Sequence, residues 1–294
     1  MTAALAERSR AGPGVFLELT KPRIVLLVLL TVAAAFVLGS EGAVALPLLA
    51  HTLFGTALVA GGTNALNQVA EAELDALMRR TRRRPLPSGR LDRGPAGAFA
   101  WSLGVGGIGY LALLVSPLAA LLAALTLISY VYLYTPLKRR TTLSTLVGAV
   151  PGALPVVGGW AAARGDLGVG AWILFAILFL WQVPHFLALA WLYREDYDAA
   201  GMRMLSVGDP DGRATFRQAT LASVALLSAA LAPTMIGLAG PAYFWGALVL
   251  TLWFVLASGR AAIGPSAAGA RRLFKVSVAY LPALLALMML DKVP

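Results

Sequence analysis

Nine stretches of this sequence are each apolar over roughly the length needed to cross a bilayer. They run over 22–39, 46–67, 95–115, 117–134, 143–162, 168–192, 215–237, 241–258 and 273–290. A membrane-spanning helix needs about 20 mostly apolar residues. In lipid every backbone polar group must be satisfied within the segment, so an apolar run of that length is confined to helix. The sequence therefore predicts an all-α integral membrane protein of nine transmembrane helices, arranged around a central cavity that opens to the cytoplasm. Composition agrees: 59% of the 294 residues are hydrophobic and 13% charged, against about 45–50% and 25% in soluble domains. Cysteine is absent, which removes disulfides, iron–sulfur clusters and thiol catalysis. The run at 24–38 is read as a retained helix and not a signal peptide, because eight further spans follow it. The third and fourth runs meet at Ser116-Pro117 and should form a tight hairpin.

Nine spans put the two chain ends on opposite sides. On that arrangement 22 of the 24 Lys and Arg residues fall on one side, leaving only Arg164 and Lys292 on the other. The positive-inside rule makes the rich side cytoplasmic. Residues 1–21, with Arg8 and Arg10, are expected to form a cytoplasmic N-terminal segment, and 22–290 the membrane domain. The excess of ten positive charges is explained by this sorting, so no nucleic-acid partner is expected. The acids sort too: all but Glu41, Asp166 and Asp291 share the basic side. Acidic residues do little to set topology. Their co-location with arginines suits a metal-bound phosphate ligand.

Two polar clusters sharpen that expectation. In residues 61–90, Asn67, Glu71 and Asp75 recur every fourth position, so they line one helix face. Polar groups at the end of an apolar helix usually face a bundle interior or cavity. Two carboxylates and an amide oxygen are hard donors that suit Mg²⁺, completed by substrate phosphate oxygens. Glu73 falls near the opposite face. Five arginines follow between Arg79 and Arg84, and arginine suits multidentate phosphate recognition. Arg80 and Arg84 are the candidates here, with Lys138 in a further basic spot at Tyr134–Arg140. The second cluster is Tyr193, Arg194, Glu195, Asp196, Tyr197 and Asp198, in which Asp196, Tyr193 and Arg194 could form the opposite wall. Within the sixth run, Gln182 and His185 are polar among apolar neighbours, and Pro184 predicts a kink. Pro151 and Pro155 among small residues predict an irregular fifth span. His51 is read as structural. The two polar clusters follow spans two and six, which suggests two four-helix halves and a ninth helix.

These residues resemble the UbiA superfamily of intramembrane prenyltransferases, and within it the heme O synthases. The resemblance covers most of the chain, from Leu19-Thr20-Lys21-Pro22-Arg23 to the last span. It is carried by Asn67 to Asp75 with Arg80, Thr81, Arg84 and Pro85, by Tyr134-Thr135-Pro136-Leu137-Lys138-Arg139, by Trp181-Gln182-Val183-Pro184-His185, and by Tyr193 to Tyr197. Two positions depart from the superfamily pattern. Glu71 stands where aspartate is usual, and Leu192 stands four residues before Asp196, where a second aspartate is usual. The resemblance implies transfer of farnesyl from farnesyl diphosphate to a vinyl group of heme b, with addition of water, giving heme O and diphosphate. It implies Mg²⁺ held by Asn67, Glu71, Asp75 and Asp196. It implies diphosphate on Arg80, Arg84, Lys138, Tyr193 and Arg194, and heme near His185 and Gln182. It implies a multi-pass protein of the cell membrane, with heme O handed on to a downstream heme-modifying enzyme or a terminal oxidase. An aromatic or quinone-precursor acceptor is the competing enzyme reading. A transporter of an anionic solute is the remote one, disfavoured because the outer side carries few polar groups.

Overall fold

The computed structural model describes residues 12–293, and within them all helices and no strands are found. A short α1 (Pro13–Thr20) precedes α2 (Pro22–Gly39), α3 (Leu46–Leu77), α4 (Arg93–Leu114), α5 (Pro117–Leu137), α6 (Ser144–Arg164) and α7 (Val169–Leu192). A six-residue α8 (Arg194–Ala199) then leads to α9 (Arg213–Met235), α10 (Pro241–Ile263) and α11 (Ala267–Leu290). Among the described residues nine helices are long and apolar enough to span a membrane. Arg8 and Arg10 lie outside the described residues.

Helix starts follow local chemistry. Proline opens α1, α2, α5 and α10, where its missing N–H costs nothing. Ser116 and Ser266 cap α5 and α11 by accepting the backbone N–H groups of Ala119 and Gly269 at 3.1 Å each. The α4–α5 connection is only Val115-Ser116, the tight hairpin expected.

Three expectations are corrected. The second span does not stop at residue 67, because α3 continues as one helix to Leu77, carrying its polar residues with it. The fifth span is not irregular: α6 runs as one α-helix through Pro151 and Pro155, and α7 continues through Pro184, the position of the expected kink. Close neighbours tolerate prolines in membrane helices, and α6 packs tightly: a Cβ on Gly159 would stand 2.5 Å from the Val32 carbonyl of α2. The irregular stretch lies instead in α5, where Ser129–Tyr134 is π-helical. Nor is the interior divided four and four. One apolar core joins α2, α6, α7 and α9–α11, a second joins α1, α3 and α4, and α5 contributes to both, with Leu122 in the first and Ala120 and Leu127 in the second. At the α3–α4 contact, a Cβ on Gly62 would lie 2.6 Å from the Gly104 nitrogen and 2.8 Å from the Ala100 carbonyl oxygen, so the two backbones approach this closely because residue 62 is glycine.

The charges assigned to the sparse side do meet at one end of the bundle. Arg164 pairs with Glu41 at 2.6 Å, and Lys292 donates to the Val37 and Ser40 carbonyls at 2.8 and 2.5 Å. The end of α11 therefore sits beside the end of α2, as an odd number of spans requires. His51 is structural as read, its Nδ1 bonded to the Tyr110 hydroxyl at 2.7 Å. A partly open pocket of about 40 Å³ is lined by residues of α2 to α6, among them Thr52, Thr56, Thr63 and Thr126.

Candidate functional site

The end of α3 brings the first cluster together as the spacing implies. Asn67, Glu71 and Asp75 are 2%, 5% and 1% exposed, so all three face inward. Glu73, on the other face, is exposed and pairs with Arg93. Carboxylates this buried need partners, and each has a cation. Lys138 Nζ donates to Glu71 at 2.7 Å, and Arg84 Nη1 to Asp75 at 2.7 Å. Asn67 bridges further, its Oδ1 accepting from Lys21 Nζ at 3.3 Å and its Nδ2 donating to Thr135 Oγ1 at 3.3 Å. Lys138 also lies 4.5 Å from the centre of the Tyr134 ring. Burial alone would lower the Lys138 pKa, but the Glu71 carboxylate together with Tyr130 and Tyr197 holds the ammonium above its ordinary value.

The second cluster joins the first through the loop after α3. Asp196 is 7% exposed. Its two oxygens accept the backbone N–H groups of Arg79 and Arg80 at 3.3 and 3.2 Å, and Arg79 Nε adds a contact at 3.4 Å. Arg79 reaches Glu195 as well, at 2.6 Å. These carboxylates push the Arg79 pKa further up. Arg80 packs over the rings of Tyr193 and Tyr197, 4.7 and 5.5 Å from their centres, and donates to the Tyr197 hydroxyl at 3.3 Å. It has no carboxylate partner among the described residues. A backbone bond from Arg203 N–H to the Lys138 carbonyl at 2.7 Å ties the α8–α9 loop to the end of α5.

Not every expected residue is gathered here. Asp196 is turned to the backbone of the arginine loop, and no group of three or more His, Asp or Glu side chains close enough to hold a metal is found among the described residues. Arg194 stacks on Trp191 at 4.4 Å and makes no contact with the carboxylates. Gln182 is 4% exposed and donates to the Ala149 and Leu178 carbonyls at 3.4 and 3.1 Å. His185 faces α11: Nδ1 lies 2.8 Å from Ser277 Oγ, and the ring stacks against Trp181 and Phe274. Ser277 donates its single proton to the Phe274 carbonyl at 2.6 Å. With that hydroxyl proton on the carbonyl, the Ser277 oxygen is assigned as acceptor from His185, the tautomer with the proton on Nδ1 and the lone pair on Nε2.

Two participants are missed by sequence reasoning. Arg79 hides in the arginine run, where nothing in the spacing separates it from its neighbours. Lys21 reads as a topology charge, although its place directly before a helix-opening proline is a signal. The structure puts its ammonium at the cluster. Burial, and then the nearby Arg84 and Lys138, pull its pKa down to about 7.

The UbiA prenyltransferase family matches residues 28–281. A protoheme IX farnesyltransferase of Solibacter usitatus is 48% identical over 94% of this chain and 98% of its own length. The mitochondrial protoheme IX farnesyltransferase of Arabidopsis thaliana is 38% identical over 99% of this chain and 68% of its own. Among solved structures, a digeranylgeranylglyceryl phosphate synthase superimposes with a TM-score of 0.80 at 16% identity, covering 95% of this chain and 97% of that one. A UbiA homolog from Archaeoglobus fulgidus, bound to GPP and Mg²⁺, gives 0.66 at 14% identity, covering 93% and 99%.

Proposed function

Because the chain belongs to the UbiA prenyltransferase family, we infer that the polar cluster at the ends of α3, α5 and α7 is where a prenyl diphosphate is ionised. The enzyme moves a farnesyl group from farnesyl diphosphate to heme b, giving heme O and diphosphate, the reaction of the protoheme IX farnesyltransferases it matches along nearly its whole length. The new bond forms at a heme vinyl group, and water adds to the carbocation left there. The observation that carries the site assignment is the convergence of Glu71, Asp75, Lys138 and Arg84, all at the end of apolar helices.

Ionisation breaks the bond between C1 of the allyl group and the diphosphate oxygen, and negative charge grows on the leaving group. Fixed cations aimed at that charge lower the barrier. Arg84 and Lys138 stand there already. Arg80, held between two tyrosine rings without a carboxylate, is free to donate to a phosphate oxygen. Asp196 fixes the loop that carries it. The donor set fits a hard divalent ion: two carboxylates and an amide oxygen on one face, each attracting a side-chain cation in this structure. Mg²⁺, when bound by Asn67, Glu71 and Asp75, would neutralise diphosphate charge and polarise the leaving group. We propose Asp196 as a further donor to it. The apolar helices keep water from the allyl cation until the acceptor is reached.

His185 and Gln182 are proposed on the acceptor side. With its proton on Nδ1, His185 offers Nε2 as the nitrogen for heme iron or a heme hydrogen bond. The chain is a multi-pass membrane protein, and we propose the cell membrane as its site, residues 1–21 and the polar mouth lying on the cytoplasmic side. Heme O would then pass to a downstream heme-modifying enzyme or a terminal oxidase. Incubating the purified protein with heme b, farnesyl diphosphate and Mg²⁺, followed by mass analysis of the heme, tests the reading. An unchanged heme, with prenylation of an aromatic or quinone-precursor acceptor in parallel assays, would replace heme b with that acceptor class.

A further inference from the structure

Lys21 is the only residue other than glycine with positive φ among the described residues, at φ 52° and ψ 65°. It forms the corner between α1 and α2. Left-handed backbone is strained for a residue with a Cβ and persists where the surroundings over-determine it. The surroundings here are side chains of α3. Gln68 Nε2 donates to the Leu19 carbonyl at 2.8 Å, and Asn64 Nδ2 to the Thr20 carbonyl at 3.1 Å. Both lie on the same helix as Asn67, Glu71 and Asp75. The corner is thereby fastened to the helix that carries the carboxylates, and its side chain is delivered to them.

Lys21 stands within electrostatic reach of two further cations, Arg84 and Lys138, and of two carboxylates, Glu71 and Asp75. Arg84 and Lys138 each have a carboxylate partner. Lys21 has only the neutral Asn67 oxygen, at 3.3 Å. An ammonium has three N–H donors, so most of its capacity is unused in a place crowded with like charge. A neutral side chain would meet less repulsion. A polyanion arriving at the cluster would turn that repulsion into attraction.

We propose that Lys21 binds the diphosphate directly, as a third cation beside Arg84 and Lys138. The proposal rests on the cluster being the diphosphate site. A merely structural Lys21 would hold the α1–α2 corner and leave ligand affinity alone.

The test uses the full-length purified protein and inorganic diphosphate with Mg²⁺, with affinity read by calorimetry and stability by thermal unfolding. Lys21→Met should weaken diphosphate binding by about tenfold or more, the worth of a charge-assisted hydrogen bond, without lowering the thermal midpoint. Lys21→Arg should restore much of the affinity. Lys21→Gly removes the ammonium while suiting the left-handed backbone, so it should bind weakly and unfold no earlier than wild type; it serves if the methionine variant does not fold. Arg84→Met is the reference for the site itself. If Arg84→Met weakens binding and neither Lys21→Met nor Lys21→Gly does, the role of Lys21 is overturned and the site stands. If none of the three weakens it, the diphosphate site lies elsewhere and both readings fall.

Discussion

Lys138 and Glu71 meet at 2.7 Å, nearly out of water, across 67 positions of sequence. Removing one member of such a pair leaves an uncompensated buried charge, which typically costs about 3–5 kcal/mol, whereas replacing both can be close to neutral. Glu71→Gln and Lys138→Met should therefore each lower the thermal midpoint, and the double variant should recover most of the loss. Turnover should stay low in all three if the pair serves the diphosphate as proposed. Recovery of activity together with stability in the double variant would reduce the pair to a structural one. Glu71→Asp should keep turnover, since a carboxylate remains on the same face.

Asp75 answers to a different balance. Its partner Arg84 retains a quarter of its side-chain exposure, so water can take over when the carboxylate goes. Asp75→Ala should leave thermal unfolding near wild type and reduce farnesyl transfer by about a thousandfold, as loss of a strong electrostatic contact to the transition state does. Heme O formation at a normal rate in a folded Asp75→Ala protein would exclude it from the site.

The acceptor reading turns on one imidazole. His185→Ala should weaken heme binding while leaving farnesyl diphosphate affinity, measured without heme, near that of wild type. Ser277→Ala removes the oxygen that holds the Nδ1 proton, so it should weaken heme binding less, and shift the Soret band of bound heme if Nε2 meets the iron. Heme affinity and spectrum unchanged in both variants would leave His185 as a packing residue between α7 and α11.

Orientation can be read directly because the chain has no cysteine. Single cysteines at Glu41 and Arg82, both at exposed positions, lie at opposite ends of the bundle. A membrane-impermeant maleimide applied to intact cells should label Glu41→Cys, and label Arg82→Cys only after permeabilisation. The reverse pattern would put the polar mouth outside.

Much of this arrangement is legible in the residues. Spans are legible because lipid leaves an apolar run of 20 residues little choice but helix. The Asn67, Glu71 and Asp75 face is legible because helical spacing is local. What the spacing cannot carry is which distant group answers each polar atom. Arg79 and Arg80 both look like phosphate ligands in the sequence, yet Arg79 pairs with Glu195 and Asp196 while Arg80 rests on tyrosine rings. Arg194 reads as part of the second wall until Trp191 is seen to hold it. Lys21 is hidden for the same reason. Its left-handed corner is braced by Asn64 and Gln68, more than forty residues away, which bind the Thr20 and Leu19 carbonyls. The π-helical turn of α5 leaves no trace in the apolar pattern.

The length of α3 has one more consequence. Its 32 residues rise about 48 Å, while the hydrocarbon layer is about 30 Å thick. Glu71 and Asp75 ride on the overhang, so bond cleavage at the proposed site would take place at the seam between two solvents. From there the two products would partition without a dedicated exit. Diphosphate would dissolve into the adjoining water, and the farnesylated heme would stay in the lipid phase from which the isoprenoid came. On the proposed site, product removal at both ends follows from how far one helix outruns the bilayer.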